Sequence, residues 1–576
     1  MANTYEIIAH RALNATKTVN PITYLGIRCF LDSFSNEFDE HGFEYFIRHK
    51  LKVRQQWFTW KHKVYKEIND KEEFVYRDFI SLSPFGAISE AFLLGELLNE
   101  KCFEHKKNVY SYISSEKKSN RNFKYYFSGY KNRGEKIKDE IDKDEQLNIL
   151  VLDLKSFYPS IDKNKLLELI EKLRHNELSE NSYKITINLI KSLLSQSDKG
   201  VPIGTDLSHF IAQIYLYDFD DQLTEKFGSR YFRYVDDIII LGYENEIDSI
   251  KEIVRSALPN ELNINNSKTD RLTKKQWDEI HSSHNSKDIF YDTLNLLTGY
   301  LAVYPKKTEH LEKKLKEKSI NIPLIKIQNQ SKSDGWLYFL RPIIKNFRIL
   351  KTNENGFISK FTDMKQHYLN NLDSLLENTN FTDENDAGNR VKIQNLRSIV
   401  SRLFYLLPLH ELEEIGKKLP KINKILDLQI IINAITKKDL IPACNYCGKV
   451  IQTICELWVE ADLDAVTLSK EDLKKLDKIN EIIDSIIIMR LYGVINFDFI
   501  ELSSLLNEVN QKYCAIVLDY NVNLTEYEKK FSYLSELYGL LKGKSLEKKR
   551  EYLTTRFDQK ESLGLAGLNL GLGYSL

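Results

Sequence analysis

The sequence RYFRYVDDIIILGY occupies residues 230–243 and is the strongest indication of the fold of this chain. Apolar residues stand on both sides of Val235-Asp236-Asp237, a pattern typical of two short strands joined by a tight turn. Aspartate pairs usually lie in solvated turns. Here the two carboxylates sit between strongly apolar strands, where their charge is unfavourable unless it is paired or binds a metal ion. The stretch therefore predicts a β-hairpin that carries functional acids.

A second apolar run precedes this hairpin and ends in another acid. LNILVLDL (147–154) predicts a buried strand that stops at Asp153. Helical patterns at 163–173 and 206–227 lie between the two, and Asp206 is a candidate N-cap of the second. The order strand, helix, helix, hairpin predicts an α+β fold.

Asp153 and Asp236 are 83 residues apart in the chain. On a strand end and a neighbouring hairpin, they would converge. Alone, Asp153 would more often be a cap or a turn acid. As a pair, the two acids suit phosphodiester formation, in which two magnesium ions about 3.5–4 Å apart activate a 3′-hydroxyl and neutralise pyrophosphate. Magnesium prefers oxygen ligands such as these.

Four motifs in this region resemble those of the reverse-transcriptase family, in the same order. They are DLKSFYPSID (153–162), GVPIGTDLSHFIAQIYL (200–216), YVDD (234–237) and LNINNSKT (262–269). YVDD alone would be a weak signal, whereas the ordered set is specific. The resemblance implies a right-hand polymerase with fingers and palm, and an RNA-directed DNA polymerase that transfers nucleotides from dNTPs.

The resemblance also assigns catalytic and metal-binding positions. Asp153 and Asp236 would ligate two Mg²⁺ ions, with Mn²⁺ as an alternative, and Asp237 would be a supporting third acid. Leu154 falls among the metal-binding positions. Lys268 matches the lysine proposed to protonate the leaving pyrophosphate; by itself it would be read as a solvated surface lysine.

The substrate-binding positions that the resemblance implies are Phe157, Tyr158, Ile203, Gly204 and Ser208. Tyr158 matches the position that discriminates against a ribose 2′-hydroxyl, which implies deoxynucleotides; otherwise it would be a core tyrosine. Gly204 matches a glycine that lets the backbone approach the incoming nucleotide.

Three departures from the family pattern limit this assignment. Ile203 replaces a common glutamine, which removes a polar contact to the nucleotide sugar and argues against ordinary templated processivity. His209 stands where proline is common. LTGYLAVY (297–304) is a loose match to a grip-like fifth motif.

A basic and aromatic segment precedes the first motif. Residues 105–138 hold ten Lys or Arg, two acids and seven aromatic residues. Basic side chains neutralise phosphates and aromatic faces stack bases, although a charge run is often only a solvated surface. We expect fingers here, with Lys117 and Arg121 as phosphate contacts.

We expect the whole chain to divide into three parts. These are an N-terminal region with fingers at 1–145, a palm at 146–305 and an all-α C-terminal domain at 306–576. Apolar residues recur at helical spacing at 399–415, 421–435, 449–461, 476–495 and 525–541. This texture suggests a thumb-like domain or helical-repeat, solenoid-like stacking.

The totals exclude other classes of protein. The 82 basic and 82 acidic side chains balance, so any nucleic-acid footprint must be local. No signal peptide or membrane span is expected, and six scattered cysteines indicate a reducing, cytoplasmic setting. Cys444, Cys447 and Cys455 do not complete a zinc site. Tyr574, in the glycine-rich tail, is a weak candidate primer.

A palm followed by a long helical region resembles bacterial abortive-infection and other antiphage reverse transcriptases. That implies a defence role, synthesis that is untemplated or protein-primed, and partners such as a homo-oligomer, a non-coding RNA or a second protein. Two alternatives stay open: a group II intron or retron-type enzyme copying an RNA template into DNA, and a degenerate palm that serves as an RNA-binding scaffold.

Overall fold

The computed structural model describes most of the chain. The described residues are 4–17, 19–32, 45, 47, 49, 57–69, 73–100, 103–117, 119–124, 126–174, 180–278, 289–322, 324, 347–377, 381, 387–476 and 478–555. They form two compact units. The first comprises the described residues within 1–16, 33–61 and 78–284, and the second comprises those within 17–32, 62–77 and 285–576.

The strands are β1 (Thr59–Ile68), β2 (Phe74–Leu82), β3 (Asn148–Asp153), β4 (Tyr231–Tyr234), β5 (Asp237–Gly242), β6 (Asp270–Leu272), β7 (Val466–Thr467) and β8 (Ile495–Asn496). The first unit is built on an antiparallel sheet in the order β4-β5-β3-β6. The predicted strand at 147–154 and the predicted hairpin at 230–243 are both present. The isoleucines of β5 and the inner residues of β3 are fully buried, because these two strands occupy the middle of the sheet.

The helices of the first unit are Thr4–Thr16, Pro84–Leu97, Tyr126–Lys143, Phe157–Ser160, Lys163–Arg174, Glu180–Leu194, Asp206–Ile214, Tyr217–Phe227 and Ile247–Ala257. The helical pattern at 206–227 is two helices, interrupted at residues 215–216. Thr205, and not Asp206, is the N-cap: its hydroxyl accepts a hydrogen bond from the Ser208 amide. This hydroxyl satisfies one of the backbone amides at the start of the helix that have no partner within the helix, which is the role of an N-cap.

The larger helices of the second unit are Pro21–Asp32, Ile289–Val303, Thr308–Lys316, Glu354–Glu377, Ala387–Leu406, Leu409–Lys418, Leu426–Lys437, Lys449–Glu460, Ile483–Tyr492, Glu508–Leu518, Tyr533–Leu541 and Leu546–Thr554. From residue 409 to 541 the larger helices pack each on the next in chain order. Stacking of neighbours along the chain is the arrangement that helical-repeat folds use.

Two of the predicted helical stretches are interrupted in the structure, and the loose fifth motif has a different form from a loop or strand. The pattern at 399–415 is broken at Pro408, which cannot continue a helix. The pattern at 525–541 is broken at Ser532, whose side chain caps the following helix. LTGYLAVY (297–304) belongs largely to the helix Ile289–Val303, so the loose fifth motif is helical.

The helix Pro21–Asp32 packs against the helices Tyr533–Leu541 and Leu546–Thr554. Almost all of its side chains are buried. Arg28 donates to the carbonyl of Tyr552 at 3.0 Å, and the hydroxyls of Thr23 and Tyr533 are 3.0 Å apart. No pattern in the sequence predicted that these segments pack together. Among the described residues, we find no helix long and apolar enough to cross a membrane.

Candidate active site

The three predicted acids meet at one end of the central strands. Asp153 is the last residue of β3 and lies opposite Asp237, the first residue of β5. One residue further, the Leu154 amide donates to the carbonyl of Asp236 at 3.1 Å. The Leu154 side chain is buried and carries no ligand atom, so only the backbone carbonyl of this residue could serve a metal ion. Strand pairing therefore brings the acids of both motifs together.

The turn between β4 and β5 is held in an unusual backbone conformation. Val235 has φ of +56°, which is a left-handed value and strained for a β-branched residue. Its amide donates to Ser111 Oγ at 3.0 Å, and its carbonyl accepts from Arg233 Nη1 at 2.8 Å. Contacts at both polar atoms thus maintain the turn that presents Asp236.

Arg233 itself is anchored by a buried ion pair. Its Nε and Nη2 donate to the two carboxylate oxygens of Asp220 at 2.7 and 2.6 Å, and Tyr231 donates to the same carboxylate at 2.6 Å. Arg233 and Asp220 are 1% and 0% exposed. The nearby carboxylate keeps the pKa of Arg233 raised against the opposing effect of burial. A bidentate pair of this kind fixes the guanidinium in one orientation.

The carboxylate of Asp153 is oriented by the fourth motif. The side-chain Nδ2 of Asn265 donates to Asp153 Oδ2 at 3.0 Å, and the backbone amide of Asn265 donates to the Asp153 carbonyl at 2.7 Å. Lys268 Nζ is 3.7 Å from Asp153 Oδ1, and about half of its side chain is exposed. The predicted lysine therefore lies beside the predicted metal ligand.

The acids affect one another electrostatically. Burial raises the pKa of Asp237 to about 7, Arg133 opposes the rise, and the charges of Asp236 and Asp153 add to it. Arg133 is buried and packs on the rings of Tyr130 and Tyr234. A concentration of negative charge that disfavours ionisation of its own members is suited to a divalent cation.

The donor set fits magnesium better than a metal held by protein alone. In the described parts of the chain, no three His, Cys, Asp or Glu side chains are placed to hold an ion by themselves. Magnesium keeps several waters and is bound in such sites by one or two carboxylates with substrate phosphates. Asp153, Asp236 and Asp237 could supply the protein's share of that shell.

Tyr158 lies in a cluster of ring side chains. Its hydroxyl is hydrogen-bonded to His209 Nδ1 at 2.7 Å and to the Tyr112 hydroxyl at 3.2 Å. The rings of Tyr112 and His209 stack, with centroids 4.5 Å apart and planes inclined by 11°. Phe157 is buried and packs edge-on against Tyr158, so it supports that ring from the core.

Gly204 is at a close approach between backbone segments. Its φ is +130°, and a Cβ there would lie 2.3 Å from the Ile80 carbonyl oxygen and 2.6 Å from the Phe79 ring. The carbonyl of Ile203 accepts from the Ile80 amide at 2.8 Å. Because Gly204 has no Cβ, β2 can pack directly against the second motif. Ser208 is buried, and its hydroxyl is 2.9 Å from that of Thr205.

Lys117 and Arg121 lie on a loop that precedes the palm strands. Backbone hydrogen bonds join residues 113 to 124 and 115 to 122, so the loop is a small hairpin. Arg11 fastens its tip by donating to the carbonyls of Glu116, Lys117 and Ser119 at 3.0–3.3 Å. Lys117 is exposed, whereas Arg121 is partly buried and acts electrostatically on Asp206.

Part of the basic segment's charge is paired within the protein. The pairs are Lys106–Asp221, Lys131–Glu135, Lys136–Asp139 and Lys138–Asp278. Arg133 is buried, and Lys118 lies outside the described residues. A count of charges in the sequence therefore overstates the basic surface that this segment offers.

Sequence reasoning missed Arg233, Asp220, Asn265 and Tyr112. Arg233 carried a usable signal, because a charged residue inside an apolar strand needs a buried partner. Cys444, Cys447 and Cys455 are buried in the helical unit. Cys102 and Tyr574 fall outside the described residues.

Comparison with known proteins agrees with this geometry over part of the chain. Residues 103–336 match the family model for "Reverse transcriptase (RNA-dependent DNA polymerase)". No curated protein matches the chain.

Two solved structures are among those similar to it. Apo telomerase from Candida tropicalis is 12% identical, with a TM-score of 0.27, over 77% of this chain and 67% of that one. Telomerase from Candida albicans in complex with a TWJ fragment of telomeric RNA is 13% identical, with a TM-score of 0.26, over 82% and 66%. Scores this low carry no argument about this chain. The motifs, the sheet and the family match together identify residues 103–336 as a domain of the reverse-transcriptase type.

Proposed function

We propose that the chain is a DNA polymerase that adds deoxynucleotides by two-metal-ion nucleotidyl transfer. The observation that carries the proposal is the pairing of β3 with β5, which places Asp153 opposite Asp237 and joins Leu154 to Asp236. Magnesium bound to these acids would lower the pKa of the attacking 3′-hydroxyl and neutralise the leaving pyrophosphate.

The surrounding residues would orient and assist this reaction. Asn265 fixes one oxygen of Asp153, so the other oxygen is directed toward Lys268. The Lys268 ammonium is exposed enough to reach a phosphate and could donate its proton to the leaving group. Arg233 and Ser111 hold the turn that presents Asp236, which reduces the rearrangement needed when substrate binds.

Tyr158 supports deoxynucleotides as the substrate class. Its ring follows Asp153 by five residues, on the one-turn helix Phe157–Ser160. A bulky ring at this position would clash with a ribose 2′-hydroxyl. Ile203 offers no polar side chain to the sugar, so steric exclusion would provide most of the selectivity.

The test is incorporation of each labelled dNTP by purified protein, with and without an added RNA template. We expect Asp153→Asn and Asp236→Asn to reduce incorporation by more than about a hundred-fold, because each removes a charge that the metal ions need. Asp221→Asn is the matched control, since Asp221 is a surface acid paired with Lys106.

Incorporation that survives both acid substitutions would overturn the catalytic assignment. Binding of RNA without any incorporation would favour the scaffold. Incorporation without template, or label that stays with the protein after nuclease digestion, would indicate untemplated or protein-primed synthesis. Sequencing of co-purifying nucleic acid would identify a non-coding RNA or a DNA product.

We place the biological role in bacterial antiphage defence, on the likeness of a palm followed by a long helical region to defence-associated reverse transcriptases. The sequential packing of helices between residues 409 and 541 supports that architecture. The test is phage plating on cells that express the wild type or Asp236→Asn. Equal plating on both would reject a polymerase-dependent defence role.

A further inference from the structure

His209 and Tyr112 enclose the hydroxyl end of Tyr158. The three side chains come from separate elements: the segment before the helix Tyr126–Lys143, the one-turn helix Phe157–Ser160 and the helix Asp206–Ile214. Tyr158 Oη is within hydrogen-bonding distance of both partners, at 2.7 Å from His209 Nδ1 and 3.2 Å from Tyr112 Oη. The phenol is therefore tied at the end remote from the backbone.

The imidazole is suited to hold a neutral hydroxyl. Burial lowers the pKa of His209 to about 4, so the ring is uncharged near neutral pH. A neutral imidazole has one nitrogen that donates and one that accepts, and either can serve a hydroxyl. The stacked ring of Tyr112 covers one face of His209 and prevents it from turning away.

The backbone around the cluster is also constrained. Tyr112 has φ of +48° and Ser156, two residues before Tyr158, has φ of +50°. Left-handed values are uncommon for residues other than glycine and persist where the surroundings enforce them. Tyr158 lies on a helix of only four residues, so its own element gives the ring little support.

We propose that His209 and Tyr112 are positioning residues that fix the ring of Tyr158, and that they thereby set the discrimination between deoxyribonucleoside and ribonucleoside triphosphates. The inference rests on the proposed polymerase function. A ring that can swing aside leaves room for a 2′-hydroxyl, whereas a ring tied at its hydroxyl does not.

The experiment compares kcat/KM for dGTP and for GTP in four variants: Tyr158→Phe, His209→Phe, His209→Asn and Tyr112→Phe. Each Phe variant keeps a ring and removes hydrogen bonding. We expect the dGTP-to-GTP ratio to fall roughly five-fold in His209→Phe and in Tyr112→Phe, the effect of one lost hydrogen bond, mainly because GTP is used better. It should fall further in Tyr158→Phe, which loses both bonds. His209→Asn should recover most of the ratio, since its amide can replace Nδ1 as a hydrogen-bonding group.

Coupling separates positioning from a general structural effect. In a Tyr158→Phe background, His209→Phe should cause no further fall in the ratio, because the bond is already lost. Tyr243→Phe, which removes a hydroxyl bonded to Asp144 elsewhere in the unit, should leave the ratio unchanged. Equal loss of dGTP and GTP use in His209→Phe, or additive effects in the double variant, would overturn the proposal.

A second measurement does not depend on turnover. Equilibrium binding of dGTP and GTP, with Ca²⁺ in place of Mg²⁺, should show the same loss of preference in the same variants. If wild type binds dGTP preferentially but never incorporates it, the polymerase proposal fails and the positioning inference survives. If wild type incorporates dGTP while every variant keeps the preference for dGTP over GTP, the polymerase proposal survives and the positioning inference fails. Absence of any preference in wild type would reject the inference.

Discussion

Two parallel hydrogen bonds join the guanidinium of Arg233 to the carboxylate of Asp220 in the interior of the protein, at 2.7 and 2.6 Å. The third nitrogen of the same guanidinium donates to the Val235 carbonyl in the turn before Asp236. One side chain therefore connects the core of the reverse-transcriptase domain to the turn that presents Asp236, and we expect stability and the proposed activity to depend on it in separable ways.

Asp220→Asn should lower both the stability of the protein and its dNTP incorporation. It leaves the Arg233 charge buried without its partner, and we expect the free energy of unfolding to fall by about 3–5 kcal/mol in urea denaturation. The double variant Arg233→Met, Asp220→Leu should regain much of that stability, because no buried charge remains. Its dNTP incorporation should stay low, because the Val235 carbonyl has lost its donor Arg233.

The adjacent Asp221→Asn provides the control for this pair. Asp221 is largely exposed and pairs with Lys106 at the surface, so its loss should change stability by less than about 1 kcal/mol. Recovery of activity together with stability in the double variant would show that Arg233 does not position the turn.

Gly204→Ala should damage the domain at the second motif. The added Cβ would stand 2.3 Å from a backbone oxygen of Ile80, and neither backbone can give way without disturbing β2. We expect a lower melting temperature and reduced incorporation. Gly539→Ala is the matched control: that glycine lies inside the helix Tyr533–Leu541 with open space around it, so alanine should stabilise by up to about 1 kcal/mol. Equal melting temperatures for the two variants would contradict this account.

Asp237 should make stability and magnesium affinity depend on pH in opposite directions. Its pKa is raised from 3.8 to about 7 in the folded protein, so the folded state binds the extra proton between these values. Without metal, the free energy of unfolding should therefore fall as the pH rises through this range, and then level off. Magnesium requires the ionised carboxylate, so its affinity should rise over the same range.

The measurements are urea denaturation in chelator and calorimetric titration with Mg²⁺ across that range of pH. Glu90, whose pKa burial raises to about 8, contributes a stability change of the same sign. The relevant quantity is therefore the difference between wild type and Asp237→Asn. If this difference does not vary with pH, the raised pKa of Asp237 is wrong.

Lys268→Ala should reduce kcat for dNTP incorporation by roughly a hundred-fold, with a smaller change in KM, because a proton donor acts in the transition state. Stopped reactions with varied dNTP give both constants. Lys274→Ala is the control, since Lys274 is a surface lysine that pairs with Glu145 and Asp142. A rise in KM with unchanged kcat would assign Lys268 to substrate binding instead.

The convergence of Asp153 and Asp236 was predictable from the apolar pattern together with the ordered set of motifs. Alternation of apolar runs and helical spacing located the two central strands, and the acids at their ends followed. Helices were predictable in type but less so in extent: Pro408 and Ser532 divide stretches whose apolar periodicity continues past them. Periodicity reports which face is buried, and it is insensitive to a one-residue break.

What could not be predicted depends on contacts between distant residues. Arg233 meets Asp220 across a helix and a strand, and Tyr112 meets His209 from a segment almost a hundred residues earlier. The basic segment failed as a guide for the same reason, because the acids that neutralise Lys106 and Lys138 lie at 221 and 278. Basic residues that cluster in the sequence can therefore be neutralised in the fold by acids that are distant in the sequence.

The burial of the helix Pro21–Asp32 against the helices of residues 533–554 has a consequence for how the chain is made. At about 5–20 residues per second, the ribosome needs roughly half a minute to two minutes to add the residues that separate the two partners. During that time the apolar helix Pro21–Asp32 already exists, but the helices that cover it have not yet been synthesised. Completion of the helical unit is therefore a late event in biosynthesis, and a chain that stops early leaves its own beginning exposed.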